Sequence, residues 1–229
     1  MKKLSQIFFL LLFSYHSQAQ IDSVLISNVK FNDAKYDNAH DGSGFLLKYK
    51  SKVYAVTAKH VLFFAKTDSM KSISFGGDLK SWDFTSKSNT NTKVKAGKLI
   101  NEDPNEILVM PPKGDWLIFE IKGDIPENVA VYKLRKKPLK IGEAVHFLGY
   151  PYKSEKHITV HGNLKGFTED NNLSLAVPKG TYNGCSGGPV LDSKGKVVGL
   201  VSMGYFDNKT DQMVFEPASL EYFKQIINN

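Results

Sequence analysis

The chain of 229 residues contains one cysteine, Cys185. No disulfide can form within it, so the fold must rest on a hydrophobic core rather than on covalent staples. Long apolar runs are also missing. The longest, residues 7–13 ("IFFLLLF"), falls far short of the ~20 residues needed to span a bilayer, and no later stretch exceeds it. Metal-binding spacing is absent too: the six histidines form no HExxH, and "HITVH" (157–161) contains no carboxylate between its histidines. No metal and no cofactor are expected. Helical periodicity is scarce.

Near the start, Lys2 and Lys3 precede the apolar run and Ser17, Gln18 and Ala19 follow it, the order of a cleavable signal peptide. Residues 1–19 are expected to be removed near Ala19, leaving a secreted or periplasmic protein. No cysteine follows that point directly, so no lipid anchor is expected. The net charge is +7, and losing Lys2 and Lys3 from an acid-free leader leaves +5. The densest basic cluster is Lys133, Arg135, Lys136, Lys137 and Lys140. Its run, "KLRKKPLK", holds a proline and lacks the interleaved aromatics of a nucleic-acid surface. It reads as a solvated linker, and no nucleic-acid partner is expected.

What fills the chain is period-two patterning. "SGFLLKY" (43–49) and "KVYAVTA" (52–58) flank a turn and read as a hairpin. Further strand candidates are residues 72–75, 93–100, 115–121, 143–150, 157–167, 172–177, 189–192 and 196–202. Many short strands punctuated by Gly, Asn, Asp and Pro predict an all-β barrel or sandwich. Two helical signals stand out: a turn around "AKHVLFF" (58–64), and the tail "PASLEYFKQII" (217–227), where Leu220, Phe223 and Ile227 recur at helical spacing. Strand patterning lapses at 122–140. That divides the chain into a β-rich half over 20–121, a linker over 122–140 and a second half over 141–229. The polar tract at 86–92 reads as an exposed loop.

Three segments carry chemistry. "TYNGCSGGPV" (181–190) places a thiol, Cys185, beside a hydroxyl, Ser186, among glycines. Either side chain could attack a carbonyl, and both could be bystanders in a turn. A serine needs a base and a group to orient that base. His60 follows a strand of small residues and opens a helical turn, which puts an imidazole at a barrel rim. His40, His146, His157 and His161 read as surface or structural residues. Asp115 opens the apolar strand "DWLIFEI", where a carboxylate can be buried beside an imidazole. Gly184 permits a tight turn whose N–H and that of Ser186 converge on one point, as an oxyanion hole requires.

In that order, "VTAKHV", "DWLIFEI" and "GCSGGPVLDSKGKVVGLVSMG" resemble the three signature blocks of trypsin-like serine endopeptidases. The sequence His, Asp, Ser is the chymotrypsin-type order. "GSGFLL" and "VHFLGYP" are similar to the bacterial, disulfide-free branch that includes glutamyl endopeptidases and high-temperature-requirement proteases. The tail "MVFEPASLEYFKQI" resembles the closing strand and helix of glutamyl endopeptidases. The resemblance covers residues 42–228. It implies two six-stranded antiparallel β-barrels of chymotrypsin type, a C-terminal α-helix and an active site in the cleft between the barrels. His60 matches the general base, Asp115 the orienting acid and Ser186 the nucleophile, with Gly184 and Ser186 at the oxyanion-hole positions. Cys185 then stands one place too early to attack.

The same resemblance implies a peptide or protein substrate held at Gly180, Thr181, Val201, Ser202, Gly204 and Val214. Departures from the family pattern shape that expectation. Cys185 replaces the aspartate with which animal trypsins pair a newly cut N-terminus, so that zymogen switch is absent. Gly180 stands where trypsin has an acid, so cleavage after Lys or Arg is not expected. Thr181 fits the glutamyl type, but Val201 replaces that group's pocket histidine. The pocket should be apolar and shallow. Two other readings share these residues: a silent binding protein on the same scaffold, and an esterase-like hydrolase using the same triad.

Overall fold

The computed structural model describes residues 21–89, 91–112 and 114–228; the expected signal peptide, residues 1–19, lies outside them. The chain opens with β1 (Leu25–Phe31), β2 (Ser43–Tyr49) and β3 (Lys52–Thr57). Then follow β4 (Ser72–Ile73), β5 (Leu79–Thr85), β6 (Lys93–Leu99), β7 (Asp103–Ile107) and β8 (Leu117–Lys122). Six of these close a barrel in the order β1-β5-β6-β8-β3-β2, with β1 returning to β2 through Leu25↔Gly44 and Ile26↔Ser43. Strands β4 and β7 form a separate two-stranded ribbon.

A second closed barrel runs β10-β11-β12-β15-β14-β13. Its strands are β10 (Ala144–Gly149), β11 (Ile158–Phe167), β12 (Leu173–Val177), β13 (Pro189–Asp192), β14 (Val197–Asp207) and β15 (Gln212–Ser219), and helix α1 (Leu220–Asn228) closes the chain. The alternation that marked these strands in sequence sorts side chains between inside and outside. In β12 the residues Leu173, Leu175 and Val177 are buried while Ser174 and Ala176 are not. Closing both sheets on themselves removes exposed strand edges without covalent help.

The chain between the barrels is more structured than a plain linker. Strand β9 (Val131–Lys133) adds to β2 in parallel, and Leu134 then bridges Val197 of the second barrel. Arg135 ends that stretch with its guanidinium on Glu143 (2.5 Å) and Asp192 (3.2 Å). The centre of the basic cluster is thus spent on internal ion pairs, and three short polar-flanked strand residues left no alternation to read.

Two apolar cores result. One fills the second barrel with Phe147, Leu164, Leu175, Val190 and Phe215. The other runs from the first barrel (Trp82, Phe84, Phe119) through the interface between barrels (Leu148, Leu200) to Phe223 of α1. The helix begins at Leu220, later than Pro217, because Ala218 and Ser219 still pair with Leu200 and Gly199. Phe223 packs against Tyr49, Tyr54 and Trp116, with ring centroids 5.4–6.0 Å apart. The tail of the second half is therefore pinned to the first barrel. Among the described residues, no helix is long and apolar enough to cross a membrane.

Candidate active site

His60 and Asp115 come from the first barrel. His60 sits in the 3₁₀ turn Lys59–Phe63 that ends β3, and Asp115 lies just before β8. Both are buried. One carboxylate holds the histidine twice: Oδ1 accepts the His60 backbone N–H at 2.8 Å, and Oδ2 lies 2.6 Å from Nδ1. A carboxylate only accepts, so the proton of a neutral imidazole resides on Nδ1, leaving Nε2 with a free lone pair. Ser202 of β14 donates its hydroxyl to the same Oδ2, so the second barrel helps fix the acid.

Ser186 arrives from the second barrel on a turn closed by Cys185 N–H to the Tyr182 carbonyl and Gly188 N–H to the Cys185 carbonyl, both 2.9 Å. Ser43 of β2 grips this turn across the cleft. Its N–H donates to the Ser186 carbonyl (2.7 Å), and its hydroxyl donates to the Gly184 carbonyl (2.8 Å). Gly187 is required here: its φ is +88°, and an added Cβ would stand 2.1 Å from the Ser43 carbonyl oxygen. The "GSG" before the first hairpin thus carries a contact that spans 143 positions in sequence, which local patterning cannot reveal.

Gly184 adopts φ +100°. The Asn183 carbonyl accepts from Tyr152 N–H at 3.0 Å. In a trans peptide the following N–H points the opposite way, so the Gly184 N–H is directed away from Tyr152. Among the described residues, neither the Gly184 N–H nor the Ser186 N–H has a hydrogen-bond acceptor. His60, Ser186, Gly184, Ser202 and Gly204 line one cleft of about 660 Å³, together with His40, Phe64 and Tyr152.

Cys185 faces elsewhere. It is fully buried in the core of the second barrel against Gly149, whose added Cβ would fall 2.5 Å from the Cys185 Cβ. Burial pushes its thiol up to about 12, so it stays protonated near neutral pH and is a poor nucleophile.

Beside Ser186 lies a cavity of about 340 Å³ lined by Gly180, Thr181, Val201, Ser202 and Gly204. The expected Val214 is not among its lining residues, and this is a correction. Its neighbours Met213 and Phe215 line it instead, because successive side chains of β15 point to opposite faces. Tyr182 and Asn183 complete the wall. Phe215 is buried, with its ring 5.2 Å from those of Tyr182 and Phe147.

His40, expected as a surface or structural residue, and its neighbour Asp41 also lie at this site. His40 is a cleft wall, edge-on to Tyr152 with centroids 4.9 Å apart. Burial, then the Lys87 cation, lowers its pKa to about 4, so the ring is neutral at ordinary pH. Asp41 is fully buried; Oδ1 accepts from Asn38 at 3.1 Å, and Oδ2 has no hydrogen-bond partner among the described residues. Burial raises its pKa well above the usual aspartate value. The folded state therefore holds this proton more tightly than the unfolded chain. Stability from Asp41 is highest in acid and declines as pH rises from the ordinary aspartate range through the raised folded value. Asp41→Asn carries no charge at any pH. It is expected to melt above the parent at pH 8, with the difference shrinking towards about pH 4, the ordinary aspartate range. Thermal melts at both pH values check this; an equal difference at both would contradict it.

The family model of the trypsin-like peptidase domain matches residues 42–200. Solved structures with the same fold include the serine endoprotease from Yersinia pestis, with TM-score 0.57 and 16% identity over 92% of this chain. The chain spans 65% of that protein's length. Another is an inactive form, carrying a serine-to-alanine mutation, of Rv3671c from M. tuberculosis H37Rv. It has TM-score 0.54 and 17% identity, over 90% of this chain and 85% of that one. No curated protein sequence matches significantly.

Proposed function

Since the chain belongs to the trypsin-like peptidase domain family, we propose that it is a secreted serine endopeptidase working through His60, Asp115 and Ser186. The observation that carries this reading is the doubly held imidazole, with Asp115 on its backbone N–H and Nδ1, in one cleft with Ser186. In the proposed reaction the Ser186 hydroxyl attacks the scissile carbonyl while His60 Nε2 takes its proton. Asp115 stabilises the imidazolium that forms. The carbonyl oxygen, now an oxyanion, is received by the N–H groups of Gly184 and Ser186. Collapse breaks the C–N bond, and His60 returns the proton to the leaving amine. An acyl group remains on Ser186, and water activated by the same imidazole hydrolyses it. Export is proposed from the order of Lys2, the apolar run and Ala19 alone.

The cavity beside Ser186 supports a preference for the residue on the acyl side of the cut. None of its lining residues is charged; polar groups make up more of its surface than apolar ones, and Val201, Met213 and Phe215 line the apolar part. Small and apolar side chains gain by burial there, whereas a Lys or Arg head would lose hydration without a partner. A peptide library should therefore be cut mainly after small or apolar residues. Cleavage concentrated after Lys or Arg would overturn this assignment of the pocket.

A further inference from the structure

Helix α1 touches the residue immediately before each member of the His60–Asp115 pair, and it does so through one side chain. Lys59, which precedes His60, is fully buried. Its ammonium donates to Glu106 of β7 (2.6 Å) and to the Tyr222 hydroxyl (3.1 Å), and it lies 4.6 Å from the centroid of the Tyr222 ring. Gly114, which precedes Asp115, lies directly under the same ring. A Cβ built on Gly114 would stand 2.0 Å from Tyr222 Cδ2 and 2.2 Å from Cγ, so only glycine leaves the ring its place. On the far side of Asp115, the Trp116 indole N–H donates to the Ser219 carbonyl at 2.9 Å, just ahead of the helix.

We infer that Tyr222 is a positioning residue: it sets the separation of His60 and Asp115 by bearing on Gly114 with its ring and on Lys59 with its hydroxyl. The inference rests on the proposed triad. The physical reason is the narrow tolerance of a short hydrogen bond. Asp115 and His60 stand on different segments, and their 2.6 Å contact persists only if the Gly114 and Lys59 backbones keep their spacing. Tyr222 is the group that packs on both. A displacement of ~1 Å at such a pair can cost about a hundredfold in rate without touching substrate.

Two variants separate the links. Tyr222→Phe keeps the ring on Gly114 and breaks only the hydroxyl contact, so kcat should fall about threefold; Tyr222→Leu removes both, so it should fall about tenfold or more. KM should stay unchanged in each, because Tyr222 lines neither the cleft nor the substrate cavity. A second readout does not depend on turnover. The far-downfield proton NMR signal of the His60 Nδ1–H held by Asp115 should persist in Tyr222→Phe and be shifted or lost in Tyr222→Leu.

If Tyr222→Leu lowers the melting temperature but leaves kcat and that signal unchanged, the helix is only structural and the inference is wrong. Should Tyr222→Leu fail to fold, Tyr222→Phe and Lys59→Met carry the test. Both break the hydroxyl–ammonium link, and unchanged kcat in both would overturn it. If the wild type cuts no peptide, yet shows the downfield signal and loses it in Tyr222→Leu, the positioning role stands and the proposed function falls.

Discussion

Ser186→Ala is expected to lower turnover on the order of 10⁴- to 10⁶-fold while the protein stays folded. Ser186 lies at the cleft, and its structural contact is its backbone carbonyl, which accepts from Ser43 N–H. Alanine keeps that carbonyl, so removing Oγ removes the attacking atom and little else. His60→Ala should cost a comparable amount, because Oγ without a base keeps its proton at the moment of attack. Asp115→Asn should cost about 10⁴-fold: an amide in place of Oδ2 presents N–H to Nδ1 and favours the wrong tautomer. The three act as one device. The double variant His60→Ala/Ser186→Ala should therefore be little worse than either single one, whereas multiplicative losses would show that the residues do not share a step. Steady-state kinetics on a peptide substrate, with thermal melts as a folding control, decide between these outcomes.

Gly184→Ala should produce the next largest loss, about 10²- to 10³-fold in kcat, the cost of one oxyanion-hole donor. Two physical effects combine. The residue sits at φ +100°, where an L side chain is strained. The new Cβ would also fall 2.6 Å from the Tyr150 carbonyl oxygen and 2.7 Å from Tyr152 N. The peptide must rotate or move to relieve both contacts, and its N–H moves with it. Gly184 lines the cleft but not the neighbouring cavity, so KM should change far less than kcat. A variant with normal kcat would mean that the Gly184 N–H does not meet the developing charge.

Much of this site was legible because its residues stand beside strong local signals. His60 follows an alternating strand of small and β-branched residues. Asp115 opens a run of buried apolar residues, and Ser186 stands in a glycine-rich turn. Strand period and turn chemistry operate over a few residues, so a sequence displays them directly. What stayed hidden depends on contacts between distant segments. Ser43 could be read as a strand residue but not as the clamp on Ser186. His40 half-buried against Tyr152 and Asp41 fully buried owe that placement to contacts between distant segments, which local patterning does not display. The cavity beside Ser186 shows the limit most plainly. The β14–β15 pairing changes register between Leu200 and Met203. Alternation along β15 and that irregularity together set which of its residues line the cavity beside Ser186, where Met213 and Phe215 stand and the expected Val214 does not. The strands β1, β5, β7 and β9 carry lysines, aspartates or a proline that diluted their alternation.

The central claim is that Ser186, and not its neighbour Cys185, is an activated nucleophile. Treating the folded protein with a fluorophosphonate and locating the adduct by tandem mass spectrometry tests it most directly. The adduct is expected on Ser186 Oγ, with none in His60→Ala, and iodoacetamide should leave both labelling and peptide cleavage intact because the Cys185 thiol is buried and protonated. No adduct on Ser186, or loss of cleavage on thiol alkylation, would contradict the account.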